Sequence, residues 1–482
     1  MTDWRTSDVT AVPPAPEALE RIKAIVGPKG WSDDPLVLEP LLLDRRGLFV
    51  GKTALLVRPA STQEVSEVVR VCAEHRIAIV PQGGNTGLVA GGIPHEHGAE
   101  ILLNLSRMKR VRMVDPADYT MTVEAGCVLA DIQAEAEKVD RLFPLSLGAE
   151  GSCQIGGNIS TNAGGVAVLH YGNMRELVLG LEVVLPDGQV WDGLRGLRKD
   201  NTGYDIKQLF IGGEGTLGVV TAAVLKLFPL PRDLQTAIVA LRDLDAAIPL
   251  LAAARTASGD AVTSLELIPR LSLEFAIRHI HGVTDPLPEP HDFYVLVEFS
   301  GARPGGGMAE NMTAFLEDAF KQEMISDAVV AQSEAQRTAF WRIREAIVEA
   351  QLHEGGSIKH DVSVPADRSP EFIRRAVAAV TQAMPGIRPL PFGHIGDGNI
   401  HLNLSQPEGM DRDEYIAQWP RMNRIVHDIV ADLGGSISAE HGIGRLKREQ
   451  ITRYKSELEI DLMRRIKAAL DPGGIMNPGK VV

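Results

Sequence analysis

The chain has 482 residues, of which 44% are hydrophobic and 23% charged, the balance of a soluble globular protein. Single cores stop growing at roughly 250–300 residues, so two or more domains are expected. Lys and Arg number 49 against 63 Asp and Glu, a formal net charge of −14. That balance argues against a nucleic-acid or anionic-membrane partner, because either needs a basic face, while leaving room for a local basic pocket. The start MTDWRTSDVT shows no basic stretch leading into an apolar one, and no run approaches the ~18 apolar residues of a membrane span. A cytoplasmic location without a transmembrane segment is the expectation. Three cysteines (Cys72, Cys127, Cys153) with no CxxC pair support neither a disulfide framework nor a thiolate metal site, and read as small buried side chains.

In chain order, a polar, Pro-containing leader precedes a strand at Ala54 to Arg58, a helix at Thr62 to His75 and a strand at Ile77 to Val80 that delivers the loop PQGGNTG. Further strands are expected at Glu100 to Leu105, Met121 to Ala125 and Leu179 to Leu185. Val219 to Leu230 closes with Phe228-Pro-Leu-Pro, which makes Pro231 a boundary. Beyond it, helices at Ala246 to Thr256, Met308 to Ala319 and Arg337 to His353 alternate with strands such as Phe293 to Phe299, the pattern of an α+β domain. The tail Glu457 to Leu470 is an amphipathic helix ended by Asp471-Pro-Gly-Gly.

Two glycine patterns mislead. Phe49-Val-Gly51-Lys52-Thr53 resembles the end of a P-loop, but Arg46 stands where that motif needs its first glycine. Gly213-Glu-Gly215-Thr-Leu-Gly218 fits a dinucleotide fingerprint, yet the following VVTAAVLKLF has the look of a strand where a helix is required. Two other loops, Pro81 to Gly87 and Gly148 to Gly165, carry dense glycine with Asn, Ser and Thr. Glycine lets backbone N–H groups approach and converge on a pyrophosphate without a charged side chain.

The segment Phe392-Gly-His394-Ile-Gly-Asp-Gly-Asn-Ile-His401-Leu-Asn403 sets two histidines on either side of a glycine turn that can fold one back beside the other. Ser436-Ile-Ser-Ala-Glu440-His441-Gly adds a carboxylate and a third imidazole. Zinc takes such ligands and, in catalytic sites, uses three of them from the protein while keeping a position open. His394, His401 and Glu440 supply that number, though a histidine pair is equally an ordinary structural feature and Glu440-His441 reads also as an ion pair near a helix start. The pairs His95/His97 and His279/His281 lack a matching carboxylate motif and are expected at the surface.

PQGGNTG, GSCQIGGNISTNAGG, LRKDNTGYDIKQLFIGGEGTLG and the terminal NPGK together resemble the FAD-binding elements of the vanillyl-alcohol oxidase (PCMH-type FAD-binding) superfamily, in its D-lactate and D-2-hydroxyglutarate dehydrogenase branch. The resemblance runs from about Thr53 to the C-terminus. It implies an α+β fold: a leader over residues 1–52, a two-part FAD-binding domain over 53–232, a substrate domain with an antiparallel sheet over 233–426, and a C-terminal helical segment over 427–482 that completes the active site. Pro81, Gly83, Gly84, Asn85, Thr86 and Gly87, with Gly148, Ser152, Gly156, Gly157, Asn158, Thr161, Asn162 and Gly165, would surround the pyrophosphate and ribityl chain. Glu214, Gly215, Gly218, Val219 and Val220 would flank the adenine or isoalloxazine, and Asn477 of NPGK is a further cofactor contact. The first glycine loop holds Asn85 and no histidine, so non-covalent FAD is implied.

The same resemblance implies a divalent metal, zinc by ligand type, on His394, His401 and Glu440, with His441 as catalytic base. Arg344 and Lys359 would hold the distal carboxylate of a dicarboxylic substrate, with Asn403 and His441 as further substrate contacts. Val348, one turn after Arg344, stands where relatives can have Thr, which puts one polar contact in question. The implied activity is oxidation of a D-2-hydroxy acid, D-2-hydroxyglutarate with D-malate as a further candidate. An electron-transferring flavoprotein or a quinone would serve as acceptor, and a homodimer is open. A D-lactate or glycolate dehydrogenase of the same branch is the nearest alternative, and a flavin-binding electron-transfer subunit the alternative of another class.

Overall fold

The computed structural model describes residues 12–482, so the start of the chain read for targeting lies outside the described residues. The chain divides into two compact units. One runs to Gly164, resumes over Asn173–Pro229 and ends with Glu440–Val482; the other comprises Gly165–Gly172 and Leu230–Ala439.

The first unit opens on a small sheet in which Leu55–Val57, Ile101–Asn104 and Ile79–Gln82 run parallel and Trp31–Ser32 adds an antiparallel edge. Helix Thr62–His75 forms where the sequence places it. Ser61 caps it by accepting from the Glu64 N–H, and the Glu64 carboxylate accepts in turn from the Ala60 N–H. Its buried stripe, Val65, Val68, Val69 and Cys72, meets Leu55, Val57 and Ile79 in one apolar cluster with helix Pro16–Val26. All three cysteines are buried free thiols. A second, antiparallel sheet orders Val111–Asp115, Thr120–Glu124, Val219–Lys226, Val178–Val184 and Val190–Gly193. The residues after Gly218 thus form a strand, and the dinucleotide fingerprint is excluded on structure as well.

Several ties hold Glu440–Val482 within this unit. The Glu214 carboxylate accepts from the N–H groups of Ile443 at 2.7 Å and Gly444 at 2.8 Å. Lys467 donates to the carbonyls of Thr216 and Met476 and pairs with Asp471. Asn477 donates to the carbonyls of Gly91 and Glu214. Lys480, fully buried, lies 3.8 Å from the Glu100 carboxylate, and burial pushes its ammonium down to about 8. His95 shares that carboxylate at 2.8 Å and is 1% exposed, which corrects its expected surface position. The acid five residues later supplies the partner that makes burial of the imidazole tolerable. His97 stacks on His95 with ring centroids 5.5 Å apart.

The second unit is built on a seven-stranded antiparallel sheet ordered Ile325–Val330, Asp233–Leu241, Phe293–Gly301, Val262–Pro269, Arg388–His394, Asn399–Ser405, Ser357–Ser363. Helices Arg270–His279 and Glu334–Ala350 bury their apolar stripes with Ile238, Ile268, Leu296, Leu390 and Phe392 of the sheet. The second of these starts three residues before its expected position because Ser333 caps it, accepting from the Gln336 N–H, and it ends in a tighter turn over Gln351–Glu354. His279 is likewise only partly exposed, with Nε2 2.6 Å from the Glu354 carboxylate that also accepts from Arg278, whereas His281 is exposed as expected. Among the described residues no helix is long and apolar enough to cross a membrane.

Burial, outweighing its two N–H donors, pushes the Glu214 carboxyl up from the usual 4.5 to about 6. A folded value above the unfolded one means that folding takes up a proton in this window. Its contribution to stability therefore grows as the pH falls through about 6, is complete below the usual value, and amounts to about 2 kcal/mol. Urea unfolding at pH 7 and pH 3.5 should show wild type gaining about that amount relative to Glu214→Gln on acidification; a pH-independent difference would contradict the assignment.

Candidate active site

In the first unit a cavity is walled by the two glycine loops and the strand start after Gly218. Of the residues expected to hold a cofactor, Pro81, Gly83, Gly84, Asn85, Thr86, Gly87, Gly156, Gly157, Asn158, Thr161, Glu214, Gly215, Gly218, Val219 and Val220 line it. His441 lines the same cavity. The loops pack directly on each other: a Cβ on Gly84 would lie 2.0 Å from the Ser152 carbonyl oxygen, so only glycine fits there. At Gly157 the opposite holds: apart from its chain neighbours and its own helix, no protein atom lies within 4 Å of where a Cβ would stand, so a ligand can come close there although the Gly157 N–H already donates to the Gln154 carbonyl.

Two buried side-chain oxygens in this wall, Gln154 Oε1 and Asn158 Oδ1, have no hydrogen-bond partner in the protein. Buried polar atoms are nearly always paired, so these acceptors fit a ligand rich in O–H and N–H donors, as the ribityl and isoalloxazine parts of FAD are. Glycine loops that let a ligand approach closely and unpaired acceptors for a polyol together match FAD.

Five other expected residues do not line the cavity. Asn477 ties Gly91 to Glu214 by its side chain, and Asn162 accepts from the Arg175 N–H. Gly148 and Ser152 lie in the loop behind it, and Gly165 belongs to the second unit. Asn85 lines it with a left-handed backbone, φ 54°, while its amide donates to the carbonyls of Pro40 and Leu43. Glu214 contributes through its position in the wall while its carboxylate grips Ile443 and Gly444, the loop just after His441. Sequence reading missed, among others, Val89 to Ile93, which follow the first glycine loop, and Gln154, which lies within the second and whose polar side chain among glycines was its one signal.

In the second unit the strand register brings the other expected residues onto one face. Directly opposite residues in antiparallel strands point to the same side. Glu266 stands opposite His394, Phe392 opposite His401, His401 opposite Asp361, and Asn403 opposite Lys359. The His394 and His401 rings sit with centroids 5.4 Å apart, so the glycine turn does fold one beside the other. His394 Nδ1 lies 2.6 Å from Glu266 Oε1, and His401 Nδ1 lies 3.7 Å from Asp361 Oδ1, an oxygen that also accepts from the Asn399 amide. Two imidazoles side by side, each backed by a buried carboxylate, are a donor set suited to a divalent metal.

Arg344, from helix Glu334–Ala350, is buried over this face. Its Nε donates to Glu266 Oε2 at 2.7 Å and its guanidinium stands 5.0 Å above the Phe392 ring. Burial alone would raise the Glu266 carboxyl, but the charges and hydrogen bonds of His394 and Arg344 hold it below the usual range. Asn403 donates to Gln351 Oε1 at 2.8 Å, and Val348 is exposed. The chain leaves the face at Ala439, whose N–H donates to the Asp361 carbonyl, and Glu440 and His441 come directly after it. Glu266, Asp361 and Gln351 were not found by sequence reading.

Residues 53–193 match the FAD binding domain and residues 230–481 the C-terminal domain of the FAD linked oxidases. A protein of Oryza sativa subsp. indica named probable D-2-hydroxyglutarate dehydrogenase, mitochondrial, is 40% identical over 470 residues, covering 95% of this chain and 80% of that one. The D-2-hydroxyglutarate dehydrogenase, mitochondrial, of Arabidopsis thaliana is 38% identical over 468 residues, with the same coverage. Both carry a mitochondrial designation, in contrast to the cytoplasmic expectation. Among solved structures, p-cresol methylhydroxylase with substrate bound superposes with a TM-score of 0.76 over 96% of each chain at 15% identity, a likeness of fold alone. The fold is the expected one of an FAD-binding part joined to an α+β domain with an antiparallel sheet, and the chain belongs to the FAD-linked oxidase family.

Proposed function

We propose that the protein is an FAD- and metal-dependent dehydrogenase that oxidises D-2-hydroxyglutarate, with D-malate as a further substrate, to the 2-oxo acid. The observation that carries this reading is the presence of His441 in the wall of the glycine-loop cavity, where an imidazole can reach a hydroxyl proton beside a flavin. The names of the relatives support the substrate.

Pro81 to Gly87, Gly156, Gly157, Asn158, Thr161, Gly215, Gly218, Val219 and Val220 would hold FAD, which would supply a two-electron acceptor for the hydride on the substrate Cα. His394, His401 and Glu440 would hold a divalent metal, zinc by ligand type, which would supply acidity to the substrate hydroxyl. His441 takes the hydroxyl proton on its neutral imidazole. Arg344 and Lys359 hold the distal carboxylate, the first through a planar fork already oriented by Glu266, the second as a point charge beside Asn403. An electron-transferring flavoprotein or a quinone would serve as the final electron acceptor.

Lys359→Met keeps the stem and removes the charge. Loss of a charge-assisted contact of ~1.5–3 kcal/mol raises KM for D-2-hydroxyglutarate by about 10- to 100-fold and leaves KM for D-lactate unchanged. Equal effects on both substrates, or a wild-type preference for D-lactate, would favour the shorter-substrate reading. Metal removal gives the second test. Chelation to a metal-free state, checked by elemental analysis, abolishes D-2-hydroxyglutarate oxidation, and added Zn²⁺ restores it with flavin content constant; full activity of the metal-free protein would remove the metal from the mechanism.

A further inference from the structure

We propose that Glu266 is a positioning residue that orients His394 for metal binding through one carboxylate oxygen and orients Arg344 for the substrate through the other. This rests on the proposed metal role of His394.

Glu266 is the lone charge in Val262–Pro269, a strand buried at every position, and is itself 1% exposed. A carboxylate there bears a large desolvation cost and persists only when its oxygens are paired. Each oxygen has one strong partner: Oε1 meets His394 Nδ1 at 2.6 Å, and Oε2 accepts from Arg344 Nε at 2.7 Å. The first contact is written into the backbone, because Glu266 and His394 are direct cross-strand neighbours at the one place where Val262–Pro269 and Arg388–His394 pair.

An ionised carboxylate only accepts hydrogen bonds, so His394 must carry its proton on Nδ1. In the neutral imidazole that a metal requires, Nε2 is then the nitrogen with the lone pair, the one a metal takes in place of the second proton of the charged form. A carboxylate behind a ligating histidine fixes tautomer and ring orientation and raises basicity, and its loss typically costs 10- to 100-fold in metal affinity. On the other oxygen, engagement of Nε fixes the plane of the Arg344 guanidinium, and Phe392 beneath it limits tilting. Both terminal amino groups of the fork then face a substrate carboxylate in one orientation. Glu266 therefore joins the metal ligand to the substrate anchor without touching either metal or substrate.

Glu266→Gln keeps the volume but sets an amide N–H against one of two donors. Zn²⁺ affinity of the FAD-loaded protein, measured by chelator competition without substrate, falls 10- to 100-fold in this variant, with flavin stoichiometry unchanged. His394→Ala is measured beside it. If His394→Ala binds Zn²⁺ as wild type does, the metal reading fails and the proposal with it. If His394→Ala loses Zn²⁺ while Glu266→Gln retains wild-type affinity, the reading stands and the role of Glu266 is overturned. Should Glu266→Gln not fold, the ¹⁵N shifts of His394 in zinc-loaded wild type decide: a protonated Nδ1 supports the proposal, and a protonated Nε2 overturns it.

Discussion

The register of four neighbouring antiparallel strands is the constraint on which the second unit's chemistry depends. Val262–Pro269, Arg388–His394, Asn399–Ser405 and Ser357–Ser363 pair so that Glu266, His394, His401, Asp361, Asn403 and Lys359 share one face. A slip of one residue between any two of them would turn a whole row of these side chains to the other side. Apolar residues resist the slip: Leu390 and Phe392 on the same face pack with helices Arg270–His279 and Glu334–Ala350, and the latter brings Arg344 down onto the row. Packing of an ordinary core thereby sets the position of the polar groups.

The first unit meets a different requirement. A dinucleotide needs backbone at close range, and the two glycine loops supply it by packing on each other at Gly84 and leaving Gly157 open to close approach. The closing wall comes from far along the chain. Glu214 grips the N–H groups of Ile443 and Gly444, and Lys467, Asn477 and Lys480 anchor the C-terminal stretch, so that His441 lines the same cavity as loops more than two hundred residues earlier in sequence. One carboxylate thus bridges the strand start that walls the cavity and the loop that presents its histidine.

The features legible in the sequence are the local ones. Thr62 to His75 carries its stripe and its cap within a few residues, and Glu457–Leu470 likewise begins at a Ser456 cap and ends where expected. The glycine loops and the two histidine motifs are contiguous, so residue order alone displays their chemistry, although glycine spoke only of an anion and the flavin came from resemblance. Glu266 was not visible. One acid within SLELIP reads as the solvent side of a strand, and its partners stand 78 and 128 residues away, brought to it only by strand order. His95 failed for the same reason on a smaller scale: its burial depends on Glu100 and on Lys480 from the far end of the chain. Buried charges are legible only when all their partners are known.

The proposed activity rests on a flavin that a D-2-hydroxy acid can reduce. Anaerobic mixing of the FAD-loaded protein with a panel of D- and L-2-hydroxy acids, with the oxidised-flavin absorbance band as readout, tests it most directly. Bleaching by D-2-hydroxyglutarate and not by its L enantiomer is the predicted result; an unchanged flavin spectrum with every D-2-hydroxy acid would contradict it.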